Sequence, residues 1–261
     1  MKAMILTVGN VISQAALGAG YALALLVETL LYVWTSFQRR QLREILHQMF
    51  VCGIASIPVT MVVSVFTGAI LALNGGLSLS QFGQENLIGG IVAVSMTREM
   101  GPFMTALILA ASVGAGMAAE LGTMKVSEEI DALEVMGLNS VRYLVVPKYL
   151  ALLAMMPCLT VFSDAAGIMG GGAFTMYQLE HTYPMFLTAT REALVMRDIS
   201  TGLLKSLVFG LVITTVGCYE GFSVQGGAEG VGKSTTSSVV VSIFLIILTD
   251  VIFTAIFYYT G

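Results

Sequence analysis

The chain is organised around residues 120–148, ELGTMKVSEEIDALEVMGLNSVRYLVVPK, its longest charge-dense stretch. This stretch predicts a short helix over about residues 126–137, because Ser127 is a residue type that caps helix N-termini and Gly137 one that ends helices. Such a helix is far shorter than the roughly 20 residues that cross a bilayer. Its apolar residues recur at helical spacing and predict one stripe, formed by Val126, Ile130, Leu133 and Met136.

The acidic residues of this helix lie off the apolar stripe, at Glu128, Glu129, Asp131 and Glu134. The first two fall in the first turn, where the helix dipole favours negative charge. Two interpretations are open for the helix. It is either a solvated helix that rests on its own protein or a docking helix that offers Ile130, Leu133 and its acids to a soluble partner.

The composition of the chain excludes a soluble globular domain. Of its 261 residues 56% are hydrophobic and only 11% are charged, and the mean hydropathy is +0.88, whereas soluble domains carry about 25% charged residues. We therefore expect an all-α polytopic integral membrane protein with a single membrane domain over residues 1–261. The net charge of −4 is mild and no basic run is present, so we expect no nucleic-acid partner.

The cysteines and histidines carry no metal or catalytic signature. Cys52, Cys158 and Cys218 lie in apolar segments without a CxxC pair, and we interpret them as small core residues. His47 and His181 are far apart and lack an HExxH partner. We expect no metal, no cofactor and no catalytic residue in this chain, and we expect no removable signal peptide at its N-terminus.

Apolar segments of spanning length divide the chain into five predicted membrane helices. These helices cover residues 50–73, 88–118, 144–177, 199–222 and 238–259. The first contains Pro58, and the third contains so many prolines and glycines that we expect it to tilt or break. The sequence between the spans predicts a turn at 74–76, a short helix within 178–198 and a loop over 223–237. A further apolar run, 15–34, is long enough to cross on hydropathy alone.

Lysines and arginines outside the spans favour a cytoplasmic position for residues 120–148. Seven of them fall in the proposed inside segments, at positions 39, 40, 43, 125, 142, 148 and 233. Three fall in the proposed outside segments, at positions 191, 197 and 205. This bias also predicts a C-terminus on the outside.

Residues 227–234, GAEGVGKS, match the phosphate-loop pattern GxxxxGK[ST] letter for letter. A phosphate loop needs a buried strand before it and a helix after it, within a soluble α/β domain. Here an apolar membrane segment lies on each side. We interpret the motif as a glycine-permissive turn and expect no nucleotide binding by this chain.

Ionisable residues within the spans are the candidate binding residues, because each costs about 2.5–3.5 kcal/mol in hydrocarbon on insertion scales. Arg98 and Glu99 are adjacent in the second span and point about 100° apart on a helix, so we expect that they do not both face one neighbouring helix. Arg98 either faces a cavity, where its guanidinium fits an anionic headgroup, or pairs with other helices or the interface. Further candidate intramembrane polar sites are Asp164, Lys205 and Asp250, with Lys205 as a partner for an aspartate.

Three stretches resemble the motifs of the MlaE family, the permease subunits of ABC transporters that serve MCE-protein lipid pathways in double-membrane bacteria. They are residues 128–137, EEIDALEVMG, followed by a tyrosine-leucine pair and Pro147-Lys148; residues 97–102, TREMGP; and residues 227–236, GAEGVGKSTT. The resemblance covers residues 50–259, and the N-terminal segment carries no matching motif.

The resemblance implies a permease that moves phospholipids between the bacterial inner membrane and a periplasmic MCE-domain protein. It implies a homodimer with two separate ATPase subunits, which hold ATP and magnesium, and a lipid pocket between the two copies with Arg98 and Glu99 at its wall. Residues 1–48 are then an elbow helix in the membrane interface. The helix at 126–137 is then a coupling helix that docks on the ATPase through Glu128, Glu129, Ile130, Asp131, Leu133 and Glu134.

Two other classes of function stay open on the sequence. A proton-coupled secondary transporter uses Asp164, Asp250 or Glu99 as proton sites and needs no ATPase. A membrane scaffold needs the docking helix but no pocket. Sterols or other hydrophobic compounds also stay open as cargo, and an organelle inner envelope of bacterial descent stays open as the location.

Overall fold

The computed structural model describes residue 18 and residues 20–32, 39–178 and 183–259. These residues form helices and short connections and contain no strand, so the predicted all-α fold is confirmed. His181 and half of the segment 1–48, namely residues 1–17, 19 and 33–38, lie outside the described residues. The helices are α1 (Gly20–Tyr32), α2 (Arg39–Cys52), α3 (Ile57–Ser80), α4 (Ile88–Ser95), α5 (Gly101–Leu109), α6 (Ala115–Val126), α7 (Glu129–Val135), α8 (Val146–Gln178), α9 (Tyr183–Ala193), α10 (Met196–Phe222) and α11 (Gly227–Tyr259).

Five helical runs of the described chain are long and apolar enough to cross a membrane, as the sequence predicts. They are Leu42–Ser80, Glu85–Val126, Val141–Tyr177, Met196–Phe222 and Gly227–Phe257. Helix α7 joins the second run to the third, and we call that end of the bundle the α7 end. Helix α9 precedes the fourth run and packs on α4 at the opposite end, where Thr190 Oγ1 donates a hydrogen bond to Gly89 O at 3.1 Å.

The first span extends beyond the predicted residues 50–73 at both ends, since its helical run covers Leu42–Ser80. Pro58 does not interrupt a helix, because it lies in the first turn of α3, where a missing N–H costs nothing. The predicted turn at 74–76 is wrong, since Gly76 is buried inside α3, which packs on α4 and α8. The chain instead turns just after Ser80, where Gly83 has a positive φ of 65°.

The second span contains two π-helical segments, Met96–Met100 and Ala110–Gly114, which the sequence analysis did not predict. The first ends immediately before Gly101 and Pro102. A proline within a helix has no N–H to donate, and its ring crowds the carbonyl four residues earlier, which here belongs to Arg98. A wider π turn relieves this conflict, and such turns are frequent at functional sites.

The phosphate-loop letters at 227–234 form the first turns of α11. The predicted loop over 223–237 is therefore wrong. The true connection spans only Ser223 to Gly226 and turns where Gly226 and Gly227 have positive φ angles of 88° and 71°. Lys233 pairs with Glu229 one turn earlier, with 2.8 Å between nitrogen and oxygen, so both side chains belong to an exposed helix face.

Glycines allow α3 and α8 to approach within backbone contact. A Cβ atom built on Gly68 would lie 1.9 Å from the carbonyl oxygen of Gly167, and one on Gly170 would lie 2.4 Å from that of Val65. Without a hydrophobic driving force between helices in lipid, such close packing is a main source of their association. The glycine-rich third span stays helical through Pro157 and packs on α3, so of the expected tilt or break no break occurs there.

Replacing Gly68 with alanine is expected to destabilise the protein by about 1–3 kcal/mol, because the added methyl group must push two backbones apart. Gly75 in the same helix is the matched control, since nothing lies within 4 Å of a Cβ built there. The measurement is the unfolding midpoint of the purified protein in detergent. Equal midpoints for Gly68→Ala and Gly75→Ala would show that the close approach contributes no stability.

Helix α1 is the described part of the apolar run 15–34. It is shorter than the roughly 20 residues that a span requires. Its Glu28 Oε1 accepts a hydrogen bond from Asn139 Nδ2 at 3.3 Å, and Asn139 follows α7 in the chain. Helix α1 therefore lies at the α7 end of the bundle.

Candidate functional site

The π-helical segment Met96–Met100 directs both of its charged residues toward α10. Arg98 Nε donates to Asp198 Oδ1 at 2.5 Å, and Lys205 Nζ donates to Glu99 Oε2 at 2.5 Å. Asp198 and Lys205 lie two turns apart on the same face of α10. The expectation that Arg98 and Glu99 cannot both face one neighbouring helix is therefore wrong. Two long side chains on a wide π turn reach the same helix at different heights.

Lys205 is the centre of this charged cluster and is only 1% exposed. Its ammonium group donates to Glu99 and, at 2.7 Å, to Thr254 Oγ1, and it lies 2.9 Å from Asp250 Oδ1. The contact with Asp250 is an ion pair without hydrogen-bond geometry. Lys205 thus links the second span, α10 and α11. Its expected position among the outside loop cations is wrong, because the chain is already helical from Met196.

A cavity of about 340 Å³ opens beside this cluster, and we call it the polar cavity. The Arg98 side chain is 52% exposed, so its guanidinium presents further N–H groups beyond the one bonded to Asp198. Arg197 is also exposed, and no carboxylate of the described residues pairs with it. The cavity is lined by Arg98, Glu99, Arg197, Thr201, Lys205, Thr254 and Phe257.

The open hydrogen-bond donors of the polar cavity suit an anionic ligand, within a cluster whose three cations and three carboxylates balance. Lys205 is compensated by the carboxylates of Glu99 and Asp250, and Arg98 by Asp198. Arg197 adds a positive charge without a described partner, so the open donors are guanidinium N–H groups. Guanidinium groups bind phosphate oxygens in a bidentate manner. Within the described residues no group of acidic, histidine and cysteine side chains is arranged to hold a metal ion.

Asp164, the other candidate aspartate, lies away from the polar cavity on α8. Its Oδ1 is buried against Gly101, where a Cβ atom would come within 1.7 Å of it. This oxygen has no hydrogen-bond partner among the described residues. Lys205 pairs with Asp250 and with Glu99, so Asp164 is not part of the cluster.

Five residues of the cavity region were missed as site candidates, namely Arg197, Asp198, Thr201, Thr254 and Phe257. Asp198 and Arg197 were placed in a polar outside segment, and Thr254 has no charge to draw attention within an apolar run. One signal was available for Asp198. It precedes Lys205 by two helical turns, a spacing that puts both on one face of the fourth span.

The N-terminal end of helix α7 differs from the prediction, and its C-terminal end agrees with it. Ser127 ends α6 and does not cap α7, since its Oγ donates back to Thr123 O at 2.9 Å, so that part of the prediction is wrong. Glu128 occupies the N-cap position with a left-handed φ of 60°. Gly137 ends the helix as predicted, with a φ of 74° and with the Leu138 N–H bonded to Leu133 O at 3.0 Å.

Some side chains of α7 are buried or hydrogen-bonded to the rest of the protein, and others are exposed. Ile130 is 2% exposed, Lys125 Nζ donates to Asp131 at 2.7 Å, and Ser140 Oγ donates to Glu134 at 3.1 Å. Val135 and Met136 are 89% and 65% exposed, so the predicted stripe is not buried as a unit. Leu133 is half-buried, and Glu128 and Glu129 are exposed at the start of the helix.

Comparison with known proteins identifies the family. The family model described as Permease MlaE matches residues 45–256 of this chain. The chain belongs to the MlaE permease family. The matched range begins after α1 and includes α7, nearly all of the five spans and every lining residue of the polar cavity except Phe257.

Curated relatives of this permease come from bacteria and from a plant. A protein of Rickettsia bellii named "Probable ABC transporter permease protein" is 41% identical, over 82% of this chain and 83% of its own length. One of Synechocystis, "Probable ABC transporter permease protein slr1045", is 36% identical over 80% and 79%. "Protein TRIGALACTOSYLDIACYLGLYCEROL 1, chloroplastic" of Arabidopsis thaliana is 32% identical over 83% and 62%.

The permease is therefore the transmembrane subunit of an ABC transporter and a multi-pass membrane protein. An ABC permease works with ATPase subunits, which are its partners. Within the described chain, the polar cavity has chemistry that suits an anionic ligand, and the exposed face of α7 has chemistry that suits a protein partner.

Proposed function

We propose that this permease moves phospholipids between the bacterial inner membrane and a periplasmic MCE-domain lipid carrier. The observation that carries the proposal is the polar cavity, in which the guanidinium groups of Arg98 and Arg197 line a space between apolar spans. A phospholipid has one phosphodiester group joined to two acyl chains. Guanidinium donors beside an apolar surface suit both parts of that molecule.

The proposal of a lipid cargo has support from two further observations. Phe257 gives the polar cavity an apolar side toward the end of α11. The name of the Arabidopsis relative contains that of a glycolipid, trigalactosyldiacylglycerol. Headgroup chemistry and the direction of movement are left open by the proposal.

A homodimer is the second part of the proposal, and α11 supports it. One face of this helix carries large apolar side chains at helical spacing that a single chain leaves exposed. A second copy related by a two-fold axis would cover such a face, and two-fold dimers are the commonest closed assembly. The exposed residues are Val240, Phe244, Ile247, Leu248 and Val251.

Two ATPase subunits complete the proposed transporter and supply ATP and magnesium. We place their docking site on α7, at the cytoplasmic side of the inner membrane. Support comes from the exposure of Val135 and Met136 at the C-terminal end of α7 and of the acids Glu128 and Glu129 at its N-terminal end. An amphipathic helix of this kind binds a groove of a partner through its apolar side chains.

Arg98→Ala is expected to lower both bound phospholipid and ATP-driven phospholipid transfer by about tenfold, since one charge-assisted contact to phosphate contributes about 1.5–3 kcal/mol. The permease is purified with its ATPase subunits, bound lipid is measured by mass spectrometry, and transfer is measured from phospholipid vesicles. Arg98→Lys should keep part of the activity, because it keeps the charge but not the planar fork.

Arg191→Ala is the matched control for the charge. Arg191 is exposed on α9 at the same end of the bundle and does not line the polar cavity. Normal lipid content and transfer in a well-folded Arg98→Ala protein would contradict the proposed binding site. Transfer by the permease alone, driven by a proton gradient, would contradict the ABC mechanism and favour secondary transport.

A further inference from the structure

Lys148 is a buried cation at the α7 end that neither the polar cavity nor the docking face uses. It lies near the start of α8, and only 2% of it is exposed. Its Nζ donates to Glu120 Oε2 on α6 at 2.5 Å. The adjacent Tyr149 belongs to a buried cluster with Leu121. The sequence analysis counted Lys148 as a loop cation, and the structure corrects that.

The pair of Glu120 and Lys148 closes the base of the segment that carries α7. The two residues are 28 positions apart in the chain, and α7 lies between them. The π-helical segment Val141–Val145 also lies between α7 and Lys148. Helices bend at such segments. The Glu120–Lys148 pair is a polar tie between α6 and the start of α8, next to the buried cluster of Leu121 and Tyr149.

Two further contacts attach α7 itself to this frame. Lys125 on α6 holds Asp131, and Ser140 at the start of the third run holds Glu134. Ile130 of α7 is buried. Helix α7 is thus attached at its N-terminal side to α6 and at its C-terminal side to the segment that leads into α8. The closed frame consists of α6, α7 and the first turns of α8, with the Glu120–Lys148 pair at its base.

We propose that the Glu120–Lys148 pair is a positioning element, which makes the second and third spans move as one unit when an ATPase subunit displaces α7. The inference rests on the proposed function for the identity of the moving partner. Asp131 and Glu134 then act within the frame and do not face the ATPase, which leaves Glu128 and Glu129 as its acidic contacts. A buried lysine that has lost its carboxylate is unstable, so the pair stays closed during the movement.

Lys148→Met is the main test, because methionine fills the buried site without a charge and leaves only Glu120, whose side chain is 50% exposed and can be hydrated. The complete complex is reconstituted in phospholipid vesicles, and the amount of lipid moved per ATP hydrolysed is measured. We expect the ATPase subunits to stay bound and to hydrolyse ATP. We expect the lipid moved per ATP to fall about tenfold, within the range by which residues of a coupling network act.

Three other variants make the test specific. Glu120→Gln leaves Lys148 buried without a carboxylate, so a loss of stability is expected together with a fall in the ratio, and the unfolding midpoint is measured beside it. Lys148→Arg keeps the ion pair and should restore most of the ratio. Lys233→Met breaks the exposed pair with Glu229 at the same end of the bundle and should change nothing.

A readout that does not depend on cargo is the distance between spin labels at Thr123→Cys on α6 and Tyr143→Cys before α8, in a Cys158→Ser background. In the complex without the Lys148 substitution, the distribution of this distance should stay narrow when ATP binds. In the Lys148→Met complex, the distance distribution should broaden when ATP binds.

Three outcomes overturn the proposal. They are an unchanged lipid-to-ATP ratio in both Lys148→Met and Glu120→Gln, an unchanged distance distribution, and loss of the ATPase subunits from both variants. The last outcome would make the pair a requirement for assembly and not for transmission. If the unaltered complex hydrolyses ATP but moves no phospholipid, the proposed cargo fails, and the spin-label distances still test the pair.

Discussion

Replacing Lys205 with methionine is expected to lower the free energy of unfolding by about 3–5 kcal/mol, the usual cost of breaking a buried ion pair by removing one partner. Lys205 compensates Glu99 and Asp250, and it also donates to Thr254. Without it, two carboxylates face each other among apolar spans. The measurement is the unfolding midpoint of the purified permease in detergent, followed by its content of bound phospholipid.

The triple variant Lys205→Met/Glu99→Gln/Asp250→Asn is the control for charge. It removes both carboxylate charges along with the ammonium group, so it should recover most of the lost stability. Its lipid binding should recover as well, if Arg98 and Arg197 provide the headgroup contacts. A single variant as stable as the unaltered permease would mean that water or a second copy already solvates these carboxylates, and the cluster would then contribute nothing to folding.

The sequence predicts the spans well because apolar length alone decides them, and it predicts their ends poorly. Two of the wrong boundaries, the end of the first span and the start of the fifth, result from glycines that were interpreted as turn signals. Gly76 is buried within α3, and Gly227, Gly230 and Gly232 lie in the first turns of α11. In a membrane helix, glycine serves close packing as often as a turn, and only the neighbouring helix decides between the two.

The candidate site was half predicted. Arg98 and Glu99 stand out because charge is costly in hydrocarbon, and Lys205 and Asp250 stand out for the same reason. Asp198, the partner of Arg98, and Arg197 did not stand out in the sequence. They lie in a polar segment at a membrane boundary, where polar residues are expected with or without a binding site. The π turn was also missed, although Pro102 four residues after Arg98 was a signal for a disturbed helix.

Helix α7 shows a limit of predictions from hydrophobic periodicity. The predicted stripe of Val126, Ile130, Leu133 and Met136 assumed one helix over about residues 126–137. The left-handed residue Glu128 splits that stretch, so Val126 belongs to α6 and only Ile130 is fully buried. The exposed apolar residues of this stretch are therefore Val135 and Met136, and the predicted stripe contains only Met136.

Val135→Asp combined with Met136→Asp is expected to weaken ATPase binding by about two orders of magnitude or more, because central apolar contacts of an interface contribute about 2 kcal/mol each when they are hot spots. These side chains are 89% and 65% exposed, so the permease itself should fold normally. The measurement is the amount of ATPase subunit that co-purifies with the permease from detergent-solubilised membranes. Glu129→Lys/Leu133→Asp should act in the same direction but should also disturb α7, since Leu133 is half-buried.

Phe82→Asp is the matched control, since Phe82 is an equally exposed apolar residue in the connection at the opposite end of the bundle. It should leave ATPase binding unchanged, because a partner that docks on α7 does not reach it. If ATPase subunits stay bound to the α7 variant, then α7 is not their docking site, and the closed frame beneath it has no force to transmit. If they are lost from the α7 variant and kept by Phe82→Asp, the α7 end is the cytoplasmic end, since ATP is supplied there. The polar cavity then opens toward the periplasmic side, where a lipid carrier can reach it.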